Sequence, residues 1–311
     1  MHSHAHAHGE KSHSHGSGSS AVLGSAMVAT LVLVAAEFAA GTLGHSIALV
    51  SDGVHNLTDL PTILISWIAV RLSVRPPTPE KTYGYHRSGI LAAFVNAIVL
   101  ILVALYILFE SYERFRQPVE VHTGLMLWVA VFAFCINGGI TLALVRGRKD
   151  LNLRSILIHN FGDALSNVAI FAGALAIRWT GARWVDPAIG MAIGVMVLWS
   201  AVGIFRESTH ILLEGLPRDL KLEDVARAIL KVEHVQEVHD IHIWTIGTNL
   251  QALSCHVRIP DMHMEDSEKI LNGIQQKLAE EFYITHTTIQ FERAGLPPEA
   301  GYFMPEPIRH S

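Results

Sequence analysis

Six stretches of the chain are apolar over roughly the length that a bilayer crossing requires, and polar residues gather in short clusters between them. At 1.5 Å per residue, a helix needs about 20 mostly apolar residues to cross the hydrocarbon layer. Ala21 to Gly41, Ile47 to Val70, Gly89 to Phe109, Gly124 to Val145, Ile156 to Ile177 and Asp186 to Phe205 meet or approach that length, and each is predicted to be a transmembrane helix. Beyond Phe205 charged residues return at the density of a soluble protein, which predicts a second domain from about Glu207. Within it LKLEDVARAILKV sets Leu222, Val225, Ala226, Ile229 and Leu230 on one helix face. VQEVHDIHIWTI and ALSCHVRI alternate as strands do, MEDSEKILNGIQQKLAEEF is a second amphipathic helix, and TTIQFE is a last strand. The order αββαβ predicts an open, two-layer, ferredoxin-like α+β sandwich. The expected division is thus a tail over 1–20, a six-helix membrane domain over 21–206, the αββαβ domain over 207–292, and an irregular tail with Pro and Gly over 293–311.

Composition agrees with a membrane protein: 50% of the 311 residues are hydrophobic and 16% are charged. A net charge of −5 offers no basic surface for nucleic acid, which is excluded as a partner. Two cysteines, Cys135 and Cys255, make neither a disulfide framework nor a cysteine zinc module. MHSHAHAHGEKSHSHGSGSS lacks the apolar stretch and cleavage site of a signal peptide. Arg71, Arg75, Lys81 and Arg87 follow the second span, and Arg146, Arg148, Lys149 and Arg154 follow the fourth, whereas the alternate loops are poorer in cations. By the positive-inside rule both termini face the cytoplasm.

The second and fifth spans are the least apolar, and they carry ionisable residues. SDGVHNLTD places His55 and Asp59 four residues apart on one helix face, with Asp52 on a neighbouring face one turn earlier; HNFGDALSN repeats the spacing in His159 and Asp163. Ionisable groups at membrane depth are costly and face a bundle interior or an aqueous cavity. If the two spans pack together, His55, Asp59, His159 and Asp163 form a two-nitrogen, two-oxygen set, the number and type of ligands for tetrahedral Zn²⁺. Two carboxylates also neutralise the dication. A lone intramembrane His or Asp is read as easily as an interhelical hydrogen-bonding group, but the duplicated pair is not. Asp52 is read as a cap or a water-accessible group beside the site, Glu37 as structural or part of an outward water path, Asn96 and Asn137 as interhelical hydrogen-bond formers, and His210 as structural.

The combination of ALVSDGVHNLTD, TYGYHRSGILAAFVNA, HNFGDALSNV, HDIHIWTI and THTTIQFE resembles the cation diffusion facilitators, in particular their zinc-exporting branch. The resemblance spans about Ala21 to Glu292. It implies six transmembrane helices, a cytoplasmic ferredoxin-like domain, a homodimer, and proton-coupled export of divalent metal. It puts the transport site on His55, Asp59, His159 and Asp163. In members with Asp at the first position cadmium is accepted more readily, so His55 favours Zn²⁺, with Cd²⁺ or Co²⁺ as further substrates. It places cytoplasmic metal ligands at His239, His256 and Glu292, completed by a histidine of the N-terminal tail, and an interface site at His86 and His286. No Cys-x-x-Cys pair follows Glu292, so a second cytoplasmic zinc is not expected. The short loop after the fourth span lacks a long His-rich insert, which favours a bacterial-type inner membrane.

Strand alternation predicts that His239 and His242 point to opposite faces and do not share a site. The His-rich tail has too few apolar residues for a core and is expected to be disordered, gathering metal for the transport site. Histidine, unperturbed near pKa ~6.5, lets protons and metal compete for one nitrogen, so alternating access can exchange them. Metal held by the cytoplasmic domain is expected to bias the helices toward transport. A membrane metalloprotease is the weaker rival, because the chain has no His-Glu-x-x-His helix to supply a general base beside a zinc. A passive metal channel or a membrane metal receptor remains the alternative reading, although a buried four-ligand site suits a carrier better than a pore.

Overall fold

A computed structural model describes residues 17–57, 78–147, 153–247, 250–293 and 308–309, with side chains described over 28–57, 78–139, 163–247 and 250–293. The chain divides into two compact units: one holds 1–61 and 100–200, the other 62–99 and 201–311.

Long helices dominate. α1 is Ser17–Leu43, α2 Ile47–Leu57, α3 Ser88–Arg116, α4 Thr123–Gly147, α5 Leu153–Thr180 and α6 Val185–Leu212. All six begin within a few residues of the expected spans, and α3 and α6 run past the expected ends at Phe109 and Phe205. The domain boundary expected near Glu207 therefore falls inside α6. Among the described residues, two helices, Ser88–Arg116 and Val185–Leu212, are long and apolar enough to cross a membrane; Val28–Leu43 and Thr123–Gly139 are shorter apolar pieces. The second half of the expected second span, after Leu57, lies outside the described residues.

The core of the helical unit mixes small residues with a few large ones: Ala40, Ala48, Ala104, Ala130 and Ala174 beside Leu49, Ile107, Met126 and Ile170. Small side chains let helix backbones come close, which is how helices associate when the surroundings are as apolar as leucine.

The second unit contains the αββαβ succession: α7 Leu222–Leu230, β1 Glu237–Gly247, β2 Leu250–Ile259, α8 Met264–Phe282 and β3 Ile284–Arg293. β1 pairs antiparallel with β2, and β2 pairs parallel with β3 across the α8 crossover. Val225 and Ile229 of α7 and Ile270, Ile274 and Leu278 of α8 lie on one side of the sheet, buried with Val238, Ile243, Leu253 and Val257. The spacing of the α8 residues is one helix turn each, so a single stripe faces the strands. The tail expected to be irregular holds one further strand, β4, at Ile308–Arg309, antiparallel to β1, giving the order β3-β2-β1-β4.

Candidate metal centres

In the helical unit His55 of α2 meets Asp163 of α5: Nε2 and Oδ1 stand 3.1 Å apart, with the side chains 13% and 6% exposed. This is the pairing of the two polar helix faces expected from their spacing. His159 lies on α5 one turn before Asp163, its side chain outside the described set, and Asp59 lies outside the described residues. Asp52 is buried on α2, and Glu37 of α1 is fully buried, its two carboxylate oxygens accepting Asn56 Nδ2 at 2.8 and 2.9 Å. Three buried carboxylates thus accompany one imidazole, an arrangement that a divalent cation or protons would balance. Sequence reasoning read Glu37 as structural or as part of an outward water path. Its signal was a lone acid inside an apolar span.

A second group forms on the sheet. His239 of β1 and His256 of β2 are direct partners in the antiparallel register, and their rings meet edge to face at 5.4 Å. β3, parallel to β2, brings Glu292 beside them: its carboxylate lies 3.2 Å from His239 Nε2 and 2.9 Å from His256 Nδ1. One ligand atom from each of the three falls within 4.8 Å of the others, and this is the one group of three or more metal-capable side chains among the described residues. Both ring nitrogens of His239 and Nδ1 of His256 are buried without a hydrogen bond. Buried polar atoms rarely lack a hydrogen bond, and two imidazoles beside a carboxylate are the ligand types of a divalent metal of the zinc type.

Three further charged groups surround this trio, and the sequence reading missed them. Arg258 Nη1 lies 3.2 Å from Glu237 and Arg258 Nε 3.6 Å from Glu292. Asp240 lies 3.7 Å from His256 Nε2 and 2.9 Å from His242 Nε2. Asp240 also corrects the predicted separation of His239 and His242. A β-bulge falls between them, since His239 pairs with His256 but His242 pairs with Ser254. Asp240, at φ 50°, takes up the additional residue. His239 and His242 therefore emerge on the same face, away from the helices, with His239 buried and His242 exposed. Cys255 points into the core, and burial, aided by Asp240, pushes its thiol up to about 12, so it offers no thiolate.

Both residues of the expected interface pair lie in the second unit. His86 sits against Gly247, where a Cβ would come within 2.8 Å of it, and lines a cavity of about 620 Å³ with Arg87, Glu214, His242 and Trp244. His286 is exposed and packs edge to face on Tyr83 at 5.5 Å. Neither joins a group of three metal-capable residues among those described. His210 accepts the structural reading, with Nε2 2.8 Å from the Leu216 carbonyl. The His-rich tail, 1–16, lies outside the described residues.

Residues 23–213 match the family described as the cation efflux transmembrane domain, and residues 217–294 match the cation efflux protein cytoplasmic domain. The chain is 38% identical over 270 residues to the metal cation efflux system protein CzcD of Cupriavidus metallidurans, covering 86% of this chain and 85% of that one. It is 37% identical over 259 residues to the zinc transporter ZitB of Escherichia coli, covering 82% of each. It is 36% identical over 262 residues to a cadmium, cobalt and zinc/H(+)-K(+) antiporter of Bacillus velezensis, covering 83% of each.

Proposed function

The chain belongs to the cation efflux family of membrane metal transporters, and from that premise we propose that it exports divalent metal, zinc foremost, from the cytosol in exchange for protons. The observation that carries this reading is the buried contact between His55 and Asp163, on two helices whose sequences repeat the same His-x-x-x-Asp spacing. Asp59 and His159 complete the transport site in this proposal, each four residues from its partner in the sequence. The imidazole nitrogens hold either metal or a proton, so metal leaving toward the proton-rich side is replaced by protons. Cadmium and cobalt are secondary substrates.

Six transmembrane helices over 21–206, both termini on the cytoplasmic side of a bacterial inner membrane, and a homodimer joined through the ferredoxin-like domain over 207–292 belong to the same proposal. The basic residues after the second and fourth spans support the orientation. His239, His256 and Glu292 act as a regulatory metal centre, supported by the buried imidazole nitrogens that face the carboxylate. A ligand shifts a conformational equilibrium by its differential affinity for the two states, so metal at this centre adjusts rate without carrying the ion. His86 and His286 are proposed as a further, interface metal site. Zinc flux in sealed vesicles, with and without an imposed pH gradient, tests the reading: antiport requires flux that rises with the gradient and moves protons the other way, whereas gradient-independent flux would mean a passive channel.

A further inference from the structure

Helix α2 carries His55, so whatever fixes its position also fixes the metal-binding face. Its first turn has three amides in need of partners, those of Ile47, Ala48 and Leu49. Ser46, immediately before the helix, accepts the Leu49 amide through its hydroxyl oxygen at 3.2 Å. The same hydroxyl donates to Asp186 Oδ1 at 2.5 Å. Asp186 Oδ2 accepts the Ile47 amide at 2.8 Å, and Oδ1 accepts the Ala48 amide at 3.3 Å. A carboxylate near the start of α6, 139 residues away in sequence, therefore completes the N-terminal cap of α2.

Several features make this a joint between helices. Asp186 is fully buried, so its three partners have no water to replace them. Its charge faces the positive end of the α2 dipole. One turn along α6, Gly190 presses on the same place: a Cβ there would stand 2.9 Å from Ile47 Cγ2 and 3.2 Å from the Ile47 carbonyl carbon. From α3, Arg114 Nη1 donates to the His45 carbonyl at 2.7 Å, holding the turn that precedes the cap.

We propose that Asp186 is a positioning residue for the transport site: by fastening the first turn of α2 to α6 it sets the axial register in which His55 meets Asp163. His55 lies eight residues beyond Ile47 on the same helix, about 12 Å along its axis. Metal ligands must lie within about 0.2 Å of ideal distances, so a loosened cap misplaces His55 enough to weaken the site. This inference rests on the reading of His55 and Asp163 as metal ligands.

The test uses the full-length protein in proteoliposomes. Asp186→Asn keeps the side-chain shape but replaces one accepting oxygen with an NH₂ group facing donors. It is expected to raise the zinc KM about 10-fold, leave kcat of the folded fraction within about twofold, and lower the zinc-to-cadmium preference. Ser46→Ala, which breaks the same link from the other side and keeps Asp186 on its two amides, should shift KM in the same direction by about threefold. The double variant should be no worse than Asp186→Asn alone. A residue that merely caps a helix would lower the yield or Tm and leave KM and metal preference of the folded fraction at wild-type values, and that result overturns the proposal. Should Asp186→Asn fail to fold, Ser46→Ala decides by the same criteria. Equilibrium zinc binding to the full chain, counting only the zinc that Asp163→Ala loses, separates the two layers. Wild-type protein that binds this zinc without flux refutes the transport reading while a weaker Asp186→Asn affinity sustains the joint; normal flux with wild-type affinity in Asp186→Asn refutes the joint alone.

Discussion

The two units of the chain bury opposite kinds of residue. In the helical unit the interior holds alanines and the polar side chains Glu37, Asp52, Asn56, Asp163 and Asp186, while Leu102, Trp128, Trp179 and Trp199 are 63%, 77%, 77% and 84% exposed. In the αββαβ unit the interior is Val225, Ile229, Val238, Leu253, Val257, Ile274 and Leu278, with a polar trio on the open face of the sheet. The surroundings explain the inversion. In water, hiding large aliphatic side chains drives folding; in lipid it gains nothing, so close helix contact and internally satisfied polar groups hold the structure. A buried acid in the helical unit thus marks a polar site or a joint between helices, and a buried leucine in the sheet unit is a sign of stability.

The largest effect should come from removing a polar residue of the helical core. Asp163→Ala is expected to reduce zinc flux in vesicles to background while the protein still inserts and keeps its helical circular dichroism, as are His55→Ala, Asp59→Ala and His159→Ala. Wild-type flux in Asp163→Ala would contradict the assignment. Leu278→Ala in the sheet unit should instead cost about 2–5 kcal/mol of that unit's stability through the cavity it leaves. The same change at the exposed Leu102 should cost less than about 0.5 kcal/mol. Comparable losses at both positions, read by denaturant unfolding, would break the comparison.

A smaller effect is expected at the sheet centre. His239→Ala with His256→Ala should slow transport several-fold without abolishing it, and should weaken the zinc dependence of the distance between labels on two cytoplasmic domains. An unchanged zinc response would remove the regulatory role. His55→Asp should shift the flux ratio from zinc toward cadmium at similar total flux, a direction taken from the family. The smallest effect concerns Cys255. Because burial raises its thiol above the ordinary 9.0 to about 12, the folded protein retains a proton that the unfolded chain releases. Stability then falls as pH rises past about 9, and fast alkylation of Cys255 in the folded protein at pH 8 would contradict its burial.

Much of this was legible in the chain. Apolar length and the His-x-x-x-Asp spacing are local properties, and so is the alternation that marked the strands. Where a long-range partner intervened, local reasoning failed. Strand alternation put His239 and His242 on opposite faces, and a bulge that only the pairing with β2 reveals brought them to one. The tail after Arg293 looked irregular, yet Ile308 and Arg309 return to pair with β1. Asp186 read as the first residue of an apolar span, and its role appears only beside Ser46.

The sequence by itself determined the helical and sheet halves, the order αββαβ and the residues able to bind metal, because periodicity and residue chemistry act over a few positions. The tertiary structure decided which of those residues meet. Register brought His239 onto His256, the parallel crossover added Glu292, and helix packing set His55 on Asp163 and Asp186 on the first turn of α2. These contacts join segments far apart in the chain, and their geometry depends on packing that no single segment encodes.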